Sequence, residues 1–284
     1  LDTGLVGKCA LVAGGSSGIG LATAIELARE GAHVAIGGRD PDRLAVAEAA
    51  IKAVSSGRVH TTSVDVTDTE AARRWVEDIA TAEFGGLHIV VVSGGSPPFG
   101  PATGFGIEEF GAALDQVLIS AVGLTLAALP YLRAAGWGRL LYVASETACV
   151  PVAPLALSGV TRAALVRFAQ GVAADVGREG ITANVIAPGG VRTPPMERVA
   201  AGLAENADGD VEAQLQFMGH HSAIGRLAEP AEIAALAAFL ASERASYITG
   251  AVHLIDGGGS VTGAHLPYLT SPAKGHETHE RPSA

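Results

Sequence analysis

The residues best suited to chemistry come early in the chain. An apolar run, Ala10-Leu11-Val12-Ala13, passes into Gly14-Gly15-Ser16-Ser17-Gly18-Ile19-Gly20, and a helical pattern follows at once. Glycines at these positions let the main chain turn tightly and come close to a bound group. The helix that starts there offers N–H groups without intrahelical partners and the positive end of its dipole. Strand, glycine turn and helix in that order make a seat for a pyrophosphate, with Ser16, Ser17 and Ile19 beside Gly14, Gly18 and Gly20. A charged position further on bears on which dinucleotide would sit there. The second apolar run ends Ile36-Gly37-Gly38-Arg39-Asp40. An acidic residue at this point hydrogen-bonds a ribose 2′-hydroxyl and suits NAD, whereas a guanidinium suits a 2′-phosphate. Arg39 comes first and favours NADP(H) over NAD(H). Asp40, one residue later, keeps NAD(H) open.

Such residues need a scaffold that gathers strand ends, and the rest of the chain carries its pattern. Apolar strand candidates lie at 8–13, 33–37, 59–64, 88–93, 139–144, 181–187 and 251–255. Helical candidates lie between them at 18–30, 41–55, 69–83, 107–134, 156–179 and 230–242. Pro41, Asp68 and Pro230 mark helix starts. This alternation predicts an α/β protein, doubly wound, with a seven-stranded, mostly parallel sheet and helices on both faces. Residues 1–263 form a single domain in this reading. Two stretches break the rhythm. Residues 194–226 combine Pro194-Pro195, a short helical pattern, a polar segment and Gly219-His220-His221. They follow the C-terminal end of a strand, where open α/β sheets bind ligands, and read as a substrate lid. Residues 264–284, rich in Pro, His and charge, read as a C-terminal tail that is loose or packs on a neighbouring subunit.

Composition narrows the partners. At 284 residues and 48% hydrophobic, the chain can bury one large core. Its net charge of −10 argues against nucleic acid, because nothing would track a phosphate backbone. Cys9 and Cys149 are too few and too isolated for a disulfide framework or a metal site, so no metal is expected. No apolar run approaches the roughly 20 residues of a membrane span. No charged-then-apolar leader opens the chain. The expectation is a cytoplasmic protein that handles a small molecule.

Gly14-x-x-x-Gly18-x-Gly20 resembles the glycine motif of the short-chain dehydrogenase/reductase family, whose members share a Rossmann-type fold. The resemblance runs over about residues 5–262. It is carried further by Asp65 after the third strand, Ser145 after the fifth, and Pro188-Gly189-Gly190-Val191-Arg192-Thr193 after the sixth. Gly225-Arg226-Leu227-Ala228-Glu229-Pro230, Tyr247-Ile248-Thr249-Gly250 and Asp256-Gly257-Gly258 fit it too. It implies that Asp65 and the Val66 main chain hold an adenine and that Thr193 holds the nicotinamide carboxamide. Ser93, Gly94, Gly95, Pro188, Gly189 and Val191 would line the same dinucleotide, and Arg162 its ribose. In the family a serine orients the substrate carbonyl and a tyrosine passes the proton. A lysine four residues on tunes the tyrosine, and an asparagine completes a relay. Position by position, the serine is Ser145. The tyrosine's place holds Ser158, the lysine's Arg162 and the asparagine's Val117. The tyrosines are Tyr131, Tyr142, Tyr247 and Tyr268, and none has a lysine four residues later.

These departures change the acid–base chemistry. A phenol ionises near pKa ~10 and can be tuned towards neutrality, whereas an aliphatic hydroxyl is a far weaker acid. Arg162 stays protonated, yet it can hold ribose hydroxyls or steady an oxyanion. Ser145 and Arg162 are therefore expected to pair on a carbonyl or anion, with Ser158 as an accessory hydroxyl. Glu146 could serve as a general base but, adjacent to Ser145, is expected to point away; Tyr142 is expected to be structural, and Cys149 could line the pocket but is expected to be a small filler. His220 and His221 could reach the pocket from the lid or stay solvated. The leading reading is an NADP(H)-dependent oxidoreductase acting on a carbonyl or alcohol through a non-standard site. The alternatives are a non-redox enzyme (dehydratase, isomerase, cyclase or lyase) using Ser145 and Arg162, or a cofactor-binding pseudoenzyme. Pro97-Pro98-Phe99-Gly100-Pro101 suggests a rigid, apolar wall and a bulky or aromatic substrate. The Ala-, Leu- and Val-rich helices at 107–134 and 156–179 suggest a homo-oligomer, a tetramer or a dimer.

Overall fold

Short apolar strands and intervening helices form in the order that the periodicity predicts. The computed structural model describes residues 2–152, 154–206, 210–220 and 222–262. The strands are β1 (Cys9–Ala13), β2 (His33–Gly38), β3 (Val59–Ser63), β4 (Ile89–Val92), β5 (Gly138–Val143), β6 (Ile181–Pro188) and β7 (Val252–Ile255). The helices are α1 (Gly18–Arg29), α2 (Pro41–Lys52), α3 (Thr69–Asp78), α4 (Ile107–Leu114), α5 (Ser120–Ala135), α6 (Ala156–Val176), α7 (Pro194–Asn206), α8 (Val211–Gly219) and α9 (Pro230–Ala241). The sheet runs β3-β2-β1-β4-β5-β6-β7, and each neighbouring pair is parallel.

Both faces of the sheet's central strands are buried, and alternation along β1 shows how. Cys9, Leu11 and Ala13 join one core, and Ala10 and Val12 the other. Helices α3, α5 and α6 close the first core with Trp75, Leu124 and Leu165. Helices α1, α2 and α9 close the second with Leu27, Leu44 and Leu240. Each such side chain contributes about 1.5–3 kcal/mol by leaving water. The winding reverses between β1 and β4, so the crossovers diverge there and leave a crevice at the strands' C-terminal ends. Gly14 and Ser93 are the first residues beyond those ends.

Three expectations need correcting. The helix expected over 107–134 is interrupted by a π turn at Asp115–Ile119. The helical stretch 107–135 is also long and apolar enough to cross a membrane by length and composition, although no such run was expected. Leu124, Ala128 and Leu132 of this stretch are fully buried in the core beside the sheet. The stretch read as a lid holds two helices, α7 and α8, which pack together through Ala200, Leu215 and Met218. His221 and the tail at 264–284 lie outside the described residues.

Candidate active site

The glycine turn is built as close backbone approach requires. Gly14 has φ 71°, and a Cβ there would come within 1.7 Å of the Ser93 carbonyl oxygen. A Cβ on Gly20 would come within 2.2 Å of the Gly14 oxygen, so only glycine lets helix α1 sit this close behind the turn. Ser17 precedes α1 and makes no side-chain cap, which leaves the first N–H groups of the helix to a ligand.

A cleft of about 660 Å³ opens over this turn. Gly14, Ser16, Ser17, Gly18 and Ile19 line one side, with Arg39, Asp65 and Val66 at one end. Ser93, Gly94, Gly95, Pro188, Gly189, Val191 and Thr193 form the opposite wall, and Ser145, Ser158 and Arg162 lie at the far end. The cleft thus gathers the residues singled out in the sequence, with the exception of Gly20, which lies behind the turn. Asp65 is spent in part on its own loop: Oδ1 accepts from Thr67 N at 3.0 Å and Thr67 Oγ1 at 2.8 Å. These hydrogen bonds hold its carboxyl below the ordinary range, against a smaller opposing effect of burial.

At the far end, Ser145 is extended (φ −160°) and caps a one-turn 3₁₀ helix, Glu146–Ala148. Its Oγ accepts from Thr147 N at 3.3 Å. Thr147 Oγ1 lies 3.1 Å from Ser158 Oγ, so two hydroxyls form a short chain here. Arg162 is buried, and its partners are main-chain oxygens. Nη1 donates to Val143 O at 2.8 Å, and Nη2 to Gly95 O at 2.8 Å and Gly94 O at 3.4 Å. Its Nε has no partner among the described residues. Burial lowers its pKa to about 10, so it stays charged at neutral pH. Among the described residues no hydrogen bond joins Ser145 to Arg162. Arg162 instead braces the loop after β4 against the end of β5, because carbonyl oxygens surround its head.

Other side chains also depart from expectation. Glu146, expected to point away, is 8% exposed and counts among the residues lining the cleft, with Oε2 beside Gly189. It also lines a second cavity of about 250 Å³, walled by Val152, Met218, Ile224, Leu227 and Ile255. Burial, and then the negative charge of Asp256, push its carboxyl up to about 7. Burial also acts to raise Asp256, but hydrogen bonds from Ser260 and Gly258 outweigh it and hold that carboxyl low. His220 is exposed at the end of α8 and lines neither cavity. Cys149 is exposed rather than a core filler. Tyr142 is structural, as expected, with its hydroxyl 2.8 Å from Thr125 Oγ1 in the core. Val117 is core, and the π turn presents its neighbour Gln116 to the cleft. Neither Gln116 nor Met196 and Arg198 of α7 were singled out in the sequence, although all three line the cleft.

Comparison with known proteins agrees with this geometry. Residues 13–260 match the family described as Enoyl-(Acyl carrier protein) reductase. D-beta-hydroxybutyrate dehydrogenase of Cupriavidus necator is 34% identical over 89% of this chain and 98% of its own. A tropinone reductase homolog of Arabidopsis thaliana is 32% identical over 91% of this chain and 94% of its own. L-sorbose reductase from Gluconobacter frateurii, solved with NADPH and L-sorbose, superposes with a TM-score of 0.87 at 35% identity. That match covers 91% of this chain and 98% of the reductase. With the glycine turn, the switch-point cleft and Ser145 in place, the chain belongs to the short-chain dehydrogenase/reductase family.

Proposed function

We propose that the protein is an NADP(H)-dependent oxidoreductase that interconverts a carbonyl compound and an alcohol through a non-standard site. The observation that carries the choice of nucleotide is a division of roles after β2. Asp40 Oδ1 accepts from the N–H groups of Asp42 and Arg43, each at 3.1 Å, and Oδ2 lies 3.2 Å from Arg43 Nε. Its carboxylate is thus occupied at the start of α2. Arg39 is exposed, lines the cleft and makes no ion pair among the described residues. A free guanidinium suits a phosphate, with two parallel hydrogen bonds to its oxygens. The NADPH bound to the similar L-sorbose reductase supports the same reading.

When bound, the cofactor supplies a hydride to the substrate carbon or takes one from it. The turn from Gly14 to Ile19 and the start of α1 would hold its phosphates, and Arg39 the 2′-phosphate. Asp65 Oδ2, unpaired among the described residues, would meet the adenine amino group, and Thr193 the carboxamide. Ser145 Oγ accepts one hydrogen bond from its own turn and keeps its proton to donate to a substrate oxygen. Arg162 fixes the floor beneath and contributes its charge to a developing alkoxide. We also infer a homo-oligomer, from the apolar surface of α5 and α6.

Fluorescence titration tests the nucleotide. NADPH is expected to bind at least about tenfold more tightly than NADH, and Arg39→Ala to lose roughly 10- to 100-fold for NADPH alone, as for a charged hydrogen bond. Equal affinities for the two nucleotides would remove the Arg39 argument. Redox chemistry is tested by NADPH oxidation with ketoses, including L-sorbose, and bulky or aromatic ketones. NADPH that binds and is never oxidised would remove the oxidoreductase reading.

A further inference from the structure

We infer that Glu146 is the group that gives the proton to the substrate oxygen in reduction and takes it back in oxidation. This rests on the oxidoreductase reading above. Among the described residues, the far end of the cleft holds Ser158 and Arg162 and no phenol, so a proton that comes from the protein there comes from another ionisable group.

Position comes first. Glu146 and Gly190 are the two residues shared by the cleft and the adjoining apolar cavity. A substrate whose carbonyl meets Ser145 and whose apolar part enters that cavity must pass Glu146. Partners come second. A buried carboxylate with a structural role is normally tied by donors. Glu146 is 8% exposed, and its carboxyl has no hydrogen-bond partner among the described residues. The space beside it is kept open by glycine. A Cβ on Gly189 would stand 3.2 Å from Glu146 Oε2 and 2.8 Å from the Asp256 Cα.

Charge comes third. Asp256, at the end of β7, accepts from Gly258 N at 2.9 Å and Ser260 N at 2.8 Å, which fixes it as the ionised member of the pair. Two carboxyl groups in environments that push them apart separate into a base and an acid. Glu146 is thereby left to carry a proton near neutral pH. Across the cavity, Arg226 and Glu232 neutralise each other at 2.7 Å, and Cys149 lies on Glu146's own turn. The other carboxylates of the cleft, Asp40 and Asp65, belong to the ends of β2 and β3. His220 lines neither cavity.

The step balances. The carbonyl carbon gains the hydride, with its two electrons, that NADPH gives up. The carbonyl oxygen gains the carboxyl proton, the product is the alcohol, and the carboxylate takes a new proton from water. Reduction by the wild type should therefore slow as pH rises through about 7.

The test compares wild type, Glu146→Gln and Glu146→Asp. Unchanged NADPH affinity by fluorescence shows that the variants are folded at the cleft. The expected result is a kcat for Glu146→Gln lower by roughly 10²–10⁴-fold, the range for a lost general acid. Its pH limb should disappear, and Glu146→Asp should recover part of the rate. Carbon-13 NMR of carboxyl-labelled glutamate supplies a readout without turnover: one resonance should titrate near neutrality and be missing from Glu146→Gln. A Glu146→Gln enzyme within about threefold of wild type, with the same pH profile, would overturn this role and leave the oxidoreductase reading standing. Wild type that binds NADPH and never oxidises it would overturn both.

Discussion

A carboxyl group buried without donors is penalised in its charged form. Glu146 stands in that position, and folding lifts it from an ordinary 4.5 to about 7. Between those values the folded state binds more protons than the unfolded chain. Stability therefore falls as pH rises across that window and stays lower above it. At 1.36 kcal/mol per pKa unit the cost at pH 8 is on the order of 3 kcal/mol. Glu146→Gln should thus melt higher than wild type at pH 8 by calorimetry, with the gain vanishing below about pH 4.5. An equal difference at both pH values would assign the effect to shape instead of charge. Arg39 and Ser145 were legible in the sequence because each lies within two residues of a strand end. Glu146 was legible as a candidate base but was expected to point away, for a physical reason. Alternation along a strand sends adjacent side chains to opposite faces. That rule lapses after Ser145, where the chain leaves the extended form for a 3₁₀ turn. One visible signal was a glutamate amid small residues, Ala144-Ser145-Glu146-Thr147-Ala148, right after a fully buried strand.

Elements carried more of the sequence signal than single residues did, because burial on both faces makes the central strands, such as β1, β4 and β5, nearly continuous apolar runs. The seven strands and the parallel order follow from that, and the helix starts from their caps. Asp40 shows how an element can decide a binding argument. Read alone, it is an acid near a ribose; read in place, it is the cap of α2. Asp40→Ala should cost about 1 kcal/mol by urea unfolding, the usual loss for a helix cap, and leave NADPH affinity as it was. A large loss of nucleotide binding without loss of stability would return Asp40 to the site. The π turn at Asp115–Ile119 was hidden, since one wide turn barely disturbs an apolar pattern over a long helix. The stretch 194–226 was legible only as a break in the strand–helix rhythm. Its two helices cohere through a small cluster, Ala200, Leu215 and Met218, that no period announces.

At the scale of the whole molecule, surface left over by folding points to further copies of the chain. Ile119 and Leu126 lie seven residues apart, two helical turns, and are 42% and 60% exposed. Val160 on α6, 49% exposed, belongs to the same side of the sheet as α5. Side chains of this kind on neighbouring helices suit an isologous interface, in which the same patch meets itself across a two-fold axis. A second apolar set lies elsewhere, with Phe239 on α9, Tyr247 and Leu254 on β7 exposed. Two separate patches can build a tetramer from two kinds of contact, whereas one builds a dimer. Light scattering should therefore give wild type a mass of two or four chains of 28.5 kDa. Leu126→Glu buries a charge at the first patch and should split that assembly. If the wild type is a tetramer held by both patches, the variant should run as a dimer. If it is a dimer held by α5 and α6, the variant should run as a single chain. In either case the circular dichroism should stay unchanged, since Leu126 makes no part of the core of its own chain. A wild type of one chain's mass at micromolar concentration would remove the assembly, and an unchanged mass for Leu126→Glu would move the interface away from α5.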